Sequence, residues 1–317
     1  MNADDALRYA RAWGLEPLGA VQLAGGFSNE SFRVAARGRN DVVVRRYGRL
    51  HVTRNAVFFE HAVQRYAAER CPGVGAPCAD ESGETLRLLD GAYVGVLPYA
   101  PGATGERTAY APAAALLAAF HRATIGFRAA HPRATRTLGT LGWLRERFGR
   151  FAADAALARA LDWDALAVAV AGATARIAPL ATRLPLSIVH ADAHPDNVVT
   201  RAGSAVALID FDFVHETERA YDVATAADAY ARADDDAPLD PELFLAYARA
   251  YDAAAPLARA EWDALWDLAI RRNAMLAWYV VTRHSERARG DVGRAPRYVA
   301  RARELAHYAR ERGSPHA

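Results

Sequence analysis

The sequence predicts an α+β protein of two lobes, a small antiparallel sheet lobe followed by a larger helical lobe. Three observations carry this. The chain has 317 residues, long for one domain and natural for two units sharing a cleft. β-branched runs separated by turn signals crowd its first third. Apolar residues at helical spacing fill most of the remainder, interrupted by one island of short strands. The boundary is expected near Tyr99, giving lobes of residues 1–99 and 100–317.

Residues 4–13 have the pattern of a short amphipathic helix, and residues 21–23 that of a strand running into the turn Gly25-Gly26-Phe27-Ser28-Asn29. Strands are expected over 31–34 and 42–47, a helix over 55–69, and two more strands over 85–89 and 93–99 about a turn at Asp90-Gly91. A hinge at 98–102 then leads into helices at 112–130, 141–148, 163–178, 220–231, 241–252, 260–284 and 296–311. The island comprises strands at 187–189, 198–200 and 206–211, and the polar chemistry concentrates there.

Composition excludes several classes. A net charge of +2 leaves no basic footprint for nucleic acid. No run of about 18 uninterrupted apolar residues exists, so no membrane span is expected. The first residues lack a basic-then-apolar leader pattern, and Cys71 and Cys78 have neither redox nor zinc spacing. The expected compartment is the cytoplasm. All 39 basic residues are arginine. Any phosphate contact usually made by lysine must here use a planar fork that keeps its proton.

The central string is His190-Ala191-Asp192-Ala193-His194-Pro195-Asp196-Asn197, followed by Asp210-Phe211-Asp212. Phosphoryl transfer needs a carboxylate to orient an acceptor hydroxyl and take its proton, and Asp192 fits. It also needs hard oxygen ligands for Mg2+ against nucleotide phosphates, and Asn197 with Asp210 fits. Short flanking strands would hold these groups on a rigid support.

IVHADAHPDNVV followed by VALIDFDFVHETERAYDVA resembles the aminoglycoside phosphotransferase and choline kinase superfamily, most closely its type II homoserine-kinase-like branch. The resemblance implies a protein-kinase-like bilobal fold and transfer of the γ-phosphoryl group of ATP or GTP to a hydroxyl of a small metabolite. It implies Asp192 as the catalytic base, His190 as a histidine of the catalytic loop, Asn197 and Asp210 as Mg2+ ligands, and Asp222 as a brace for that loop. For Asp222, a carboxylate favoured by a helix N-terminus is an equal reading.

The first lobe extends the resemblance. Gly25, Gly26, Ser28 and Asn29 match a nucleotide loop whose backbone could approach phosphate. Val42-Val43-Val44-Arg45 stands where the kinase strand ends in lysine, so arginine here departs from the kinase pattern. Strand alternation puts Val43 and Arg45 on one face, toward the nucleotide, with Arg46 facing away. Glu60 is placed to pair with Arg45. Val96, Leu97 and Tyr99 match the hinge strand, whose backbone would hydrogen-bond the nucleotide base.

Acceptor candidates lie in the helical lobe: Asp196, Asp212, Asp228, Tyr230, Arg271, Arg272, Asn273, Trp278 and Tyr279. Carboxylates would suit a cationic acceptor such as an aminoglycoside or amino alcohol. Arg271 or Arg272 would suit an acceptor carboxylate, as in homoserine. Trp278 and Tyr279 would suit a quaternary amine. An antibiotic-inactivating kinase and a non-catalytic nucleotide-binding pseudokinase are the alternatives to a metabolic kinase.

Overall fold

The computed structural model describes residues 1–23, 29–48, 53–129, 133, 140–152, 155–287 and 293–311. Five strands form the first sheet: β1 (Pro17–Gln22), β2 (Glu30–Ala36), β3 (Val42–Arg46), β4 (Arg87–Leu89) and β5 (Ala92–Pro98). They are antiparallel in the order β1-β2-β3-β5-β4. Phe32 and Val34, Val42 and Val44, and Val94 and Val96 alternate onto one face. There they bury Ala6, Tyr9 and Ala10 of helix α1 (Ala3–Arg11). A capping box starts that helix, with Asn2 and Asp5 each accepting the other's backbone N–H. Its other end is pinned when Tyr9 donates to Asp90 at 2.7 Å. Asp90 and Gly91, both at positive φ, make the tight turn between β4 and β5.

Helix α2 (Arg54–Ala68) crosses the opposite side of this sheet, where Tyr47 meets Glu60 and His61 of that helix. After β5 the chain crosses to the helical lobe at a tight contact. Ala103 and Thr200 exchange backbone hydrogen bonds at 2.9 and 2.7 Å. A Cβ on Gly102 would lie 2.4 Å from the Thr200 carbonyl oxygen, so only glycine fits.

The second lobe is built from α3 (Tyr110–Ala123), α4 (Leu141–Ala152), α5 (Ala155–Ala160), α6 (Trp163–Ile177), α7 (Arg219–Tyr230), α8 (Pro241–Ala254), α9 (Arg259–Arg287) and α10 (Ala295–Glu311). The 29 residues of α9 span about 44 Å at 1.5 Å per residue. Its middle is buried nearly all round, from Ala264 to Ala277. Trp266 stacks between Phe244 at 4.0 Å and Tyr308 at 5.7 Å. Two small antiparallel ribbons complete the lobe, β6 (Leu186–Val189) with β9 (His215–Glu218) and β7 (Val198–Arg201) with β8 (Ser204–Leu208). No helix among the described residues is long and apolar enough to cross a membrane.

Three differences from the sequence pattern have local causes. Helix α3 stops at Ala123 rather than near 130, because Thr124 turns its hydroxyl back onto the Phe120 and His121 carbonyls and Gly126 takes positive φ. Strand β8 ends at Leu208, short of 211, because Asp210 adopts a left-handed backbone. Strand β9 was not expected, since His215-Glu216-Thr217-Glu218 has no apolar alternation; its pairing with β6 creates it.

Candidate active site

The loop from His190 to Asn197 links β6 to β7 and is held from beneath by Asp222, in the first turn of α7. The Asp222 carboxylate accepts the backbone N–H of His190 at 2.7 Å and of Ala191 at 2.8 Å. His121 of α3 adds a third contact at 3.0 Å and is itself fixed by Tyr251 of α8. Burial would raise the Asp222 carboxyl, but the His121 and His190 contacts outweigh it and hold it low. These bonds also stabilise Ala191 at φ 62°, a conformation unfavourable for a residue with a Cβ. The brace expected at Asp222 therefore exists at the helix N-terminus, and the two readings of that residue coincide.

His190 does not reach the cleft. It is fully buried, its Nε2 meets the Ile209 carbonyl at 3.0 Å, and its Nδ1 accepts the Asp192 N–H at 3.3 Å. Burial lowers its pKa and keeps it neutral. His190 therefore positions the loop and does not touch the reactants.

Asp192 presents both carboxylate oxygens to partners. Oδ2 accepts the Asn197 side-chain amide at 3.0 Å, and Oδ1 accepts Arg272 of α9. Burial would raise this carboxyl, but the His194 and Arg272 charges hold it below the usual carboxylate range. Asn197 spends its amide nitrogen on the Asp192 carboxylate and backbone carbonyl, which leaves its oxygen for another partner. Ile209 N–H donates to the Asn197 carbonyl at 3.0 Å, setting Asn197 beside the approach to Asp210.

Asp210, at φ 62°, and Asp212 converge on Arg45 from the sheet lobe. The Arg45 guanidinium donates to Asp210 at 3.1 Å and to Asp212 at 3.3 Å. Asn29 donates to the second oxygen of Asp212, and Arg133 donates to its backbone carbonyl at 2.8 Å. Burial and the Asp210 charge push the Asp212 carboxyl up to about 7, against the pull of Arg45. Two carboxylates thus share one cation in a buried place. Arg46 faces away and pairs with Glu30 at 2.7 Å, as strand alternation requires.

Several expected residues sit elsewhere. Glu60 does not pair with Arg45, whose charge is taken by Asp210 and Asp212. Instead it accepts from Tyr47 at 3.3 Å, and burial with the nearby Asp212 charge pushes its pKa well up. Val96 is the register partner of Val44 and points into the α1-side core, while its carbonyl accepts from Cys78 at 2.8 Å. Leu97 is the partner of Val43 and shares the opposite face with it. Tyr99 lies under the Arg33 guanidinium at 4.4 Å. Gly25, Gly26 and Ser28 lie outside the described residues. The Ala100 N–H at the hinge has no hydrogen-bond partner among the described residues.

On the acceptor side, Arg271 is not in the cleft. It is locked onto Glu218 at 2.6 Å and lies over Tyr221, beside a cavity of about 280 Å³ between α6 and α9. Asp228 is buried between Arg232 and Asn273, and Tyr230 is fully buried against Tyr247. Asp228 and Tyr230 are corrected to structural roles because each is sealed in the helical core, and Arg271 because its guanidinium is taken by Glu218. Asp212 belongs with Arg45 rather than with an acceptor. Trp278 packs edge-on to Trp143 at 5.1 Å, and Tyr279 packs on Phe213 at 5.4 Å. Asp196 is exposed at the rim, 3.6 Å from His194.

Residues 19–262 match the APH family, described as a phosphotransferase enzyme family. The chain belongs to that family. Over 276 residues it is 30% identical to a homoserine kinase of Phenylobacterium zucineum, spanning 84% of this chain and 80% of that one. Among solved structures it is similar to an amicoumacin kinase in complex with AMP-PNP and Ca2+, at 14% identity and a TM-score of 0.71, over 96% of this chain and 93% of that one. A microcompartment-associated aminopropanol kinase matches at 15% identity and a TM-score of 0.66, over 98% of each chain. At such identities the structures speak for the fold, the bilobal α+β kinase-like architecture described above. As a phosphotransferase of this family, the chain is a small-molecule kinase.

Proposed function

We propose that this phosphotransferase moves the γ-phosphoryl group of ATP or GTP to the hydroxyl of a homoserine-like or other small amino-alcohol acceptor, in the cytoplasm. Residues 1–99 form its nucleotide lobe and residues 100–317 its acceptor lobe. The observation that carries the reading is that Asp192 and Asn197, on a loop braced by Asp222, lie beside the segment whose Asp210 and Asp212 meet Arg45 of the sheet lobe.

Asp192 orients the acceptor hydroxyl and takes its proton. Arg45 and the glycine loop position the phosphates, Val43 and Leu97 flank the nucleotide base, and the Ala100 N–H, unpaired among the described residues, suits a purine edge. The donor set fits Mg2+. Asp210 and the Asn197 oxygen are hard ligands, and the raised Asp212 carboxyl marks an excess of negative charge that a cation would relieve. Among the described residues no three acidic, His or Cys side chains converge as a full cage, so phosphate oxygens would complete the shell. When bound, the ion neutralises charge developing on the phosphates.

A polycationic aminoglycoside is disfavoured because Arg272 stands at the base. The presence of Asp192, Asn197 and Asp210 together speaks against a pseudokinase. A nucleotide-consumption screen over hydroxy amino acids, amino alcohols, sugars and aminoglycosides tests the reading. Phosphorylation of a hydroxy amino acid or amino alcohol is expected; turnover confined to aminoglycosides, or none with any acceptor, defeats it.

A further inference from the structure

We propose that Arg272 is an acceptor sensor: it occupies the base Asp192 when the acceptor site is empty and binds a carboxylate on the acceptor when one arrives. The inference rests on the phosphotransfer reading above and names the acceptor class more narrowly, as a hydroxy acid.

Four observations lead there. Arg272 is 3% exposed, yet its guanidinium reaches out of the α9 core to Asp192 Oδ1. Its fork is incompletely used. Nη1 meets the Met275 sulfur at 3.9 Å and the Tyr221 hydroxyl lies close to the guanidinium, but the buried Nε has no hydrogen-bond partner among the described residues. A buried donor without a partner is costly, and a carboxylate carries the paired oxygens that such a fork accepts. The face of Phe213 lies 5.1 Å from the guanidinium carbon and helps set its plane. Finally, the adjacent cations of the lobe are already engaged by carboxylates other than the base. Arg271 is held by Glu218, and Arg232 lies between Asp228 and Glu304.

The single carboxylate engaged by Arg272 belongs to the group that must receive the hydroxyl. An acceptor bonded to Asp192 therefore lies beside the guanidinium. In a γ-hydroxy-α-amino acid the hydroxyl and carboxyl carbon are separated by about 5 Å when extended, from standard bond lengths, enough to touch both neighbours. The carboxylate would draw Arg272 from Oδ1 as the hydroxyl takes its place. Without such an acceptor the base stays covered, and activation of water is suppressed.

The test compares homoserine with its alcohol analogue, 2-amino-1,4-butanediol, in the wild type, Arg272→Gln and Arg272→Lys, together with nucleotide hydrolysis in the absence of acceptor. The wild type should favour homoserine by about 10- to 100-fold in kcat/KM, the range of one charge-assisted bond. Arg272→Gln should erase most of that preference, chiefly through KM, and raise acceptor-free hydrolysis. Arg272→Lys should restore part of both. Equal wild-type use of the two acceptors overturns the sensor and leaves phosphotransfer standing, and this comparison holds even if a variant does not fold. Unchanged preference and unchanged hydrolysis in folded Arg272→Gln overturn it as well. A wild type inert on both acceptors, and on the wider screen, removes the phosphotransfer reading with it.

Discussion

Two consecutive arginines on α9 show how differently one helix can use the same side chain. Arg271 turns into the lobe and closes a buried pair with Glu218, over the ring of Tyr221. Arg272, a rotation of about 100° further round the helix at 3.6 residues per turn, turns toward the catalytic loop and meets Asp192. The first is part of the scaffold; the second belongs to the cleft. The loop itself divides in the same way, with Asp222 supporting it from beneath and Asp192 facing the reactants.

The sharpest way to break that division is at Asp192. Asp192→Asn should lower single-turnover phosphoryl transfer by on the order of 10²–10⁴-fold, the usual worth of a positioned base, with the thermal unfolding midpoint little changed. Transfer above a tenth of wild type would remove Asp192 from the role of base. Asp222→Ala should damage both sides at once, since it orphans two backbone donors and His121. Denaturant unfolding should show a loss of about 3–5 kcal/mol, as for a buried charged network losing one member, and turnover per folded molecule should fall too. A stable variant with normal turnover would mean the loop holds itself.

Arg271→Met should lie on the scaffold side alone. We expect destabilisation of about 3 kcal/mol from the uncompensated Glu218, with kcat/KM of the folded fraction within a few-fold of wild type. A selective rise in acceptor KM would move Arg271 into the cleft. The smallest effect is one of pH. Although burial opposes it, Arg271 and Thr217 hold the Glu218 carboxyl at about 2, against an ordinary value of 4.5. The folded value lies below the unfolded one, so the pair stabilises above about pH 4.5 and that contribution fades as pH falls toward 2. Denaturation at pH 6 and pH 3 should show a shallower loss in Glu218→Gln than in wild type. Identical slopes would show that other carboxylates dominate.

Much of this site was legible because its residues are adjacent in sequence. Asp192, Asn197 and Asp210 fall on one loop and the segment after the next ribbon, so spacing alone brings them together. The two arginines of α9 were not separable that way. Neighbours on a helix face different directions, and a helix buried nearly all round offers no polar stripe to fix which direction is which. The pairing of the Val96 carbonyl with the Cys78 N–H has no sequence signature either, because the two lie on separate segments. Glu60 lies on α2 as expected, but its raised pKa follows from burial beside the charges of Asp212 and Asp210, some 150 residues further along. The left-handed backbones of Ala191 and Asp210 have no signature, because neither is a glycine.

The crossing from sheet to helices also has a mechanical consequence. The Ala103–Thr200 pair and the bond from Gly105 to the Pro195 carbonyl at 3.0 Å rivet the connecting segment to the base of the catalytic loop. With Tyr99 held to the sheet through the Asp41 carbonyl and Ala103 held to the lobe, only Ala100 to Gly102 of this connection lie between the two anchors.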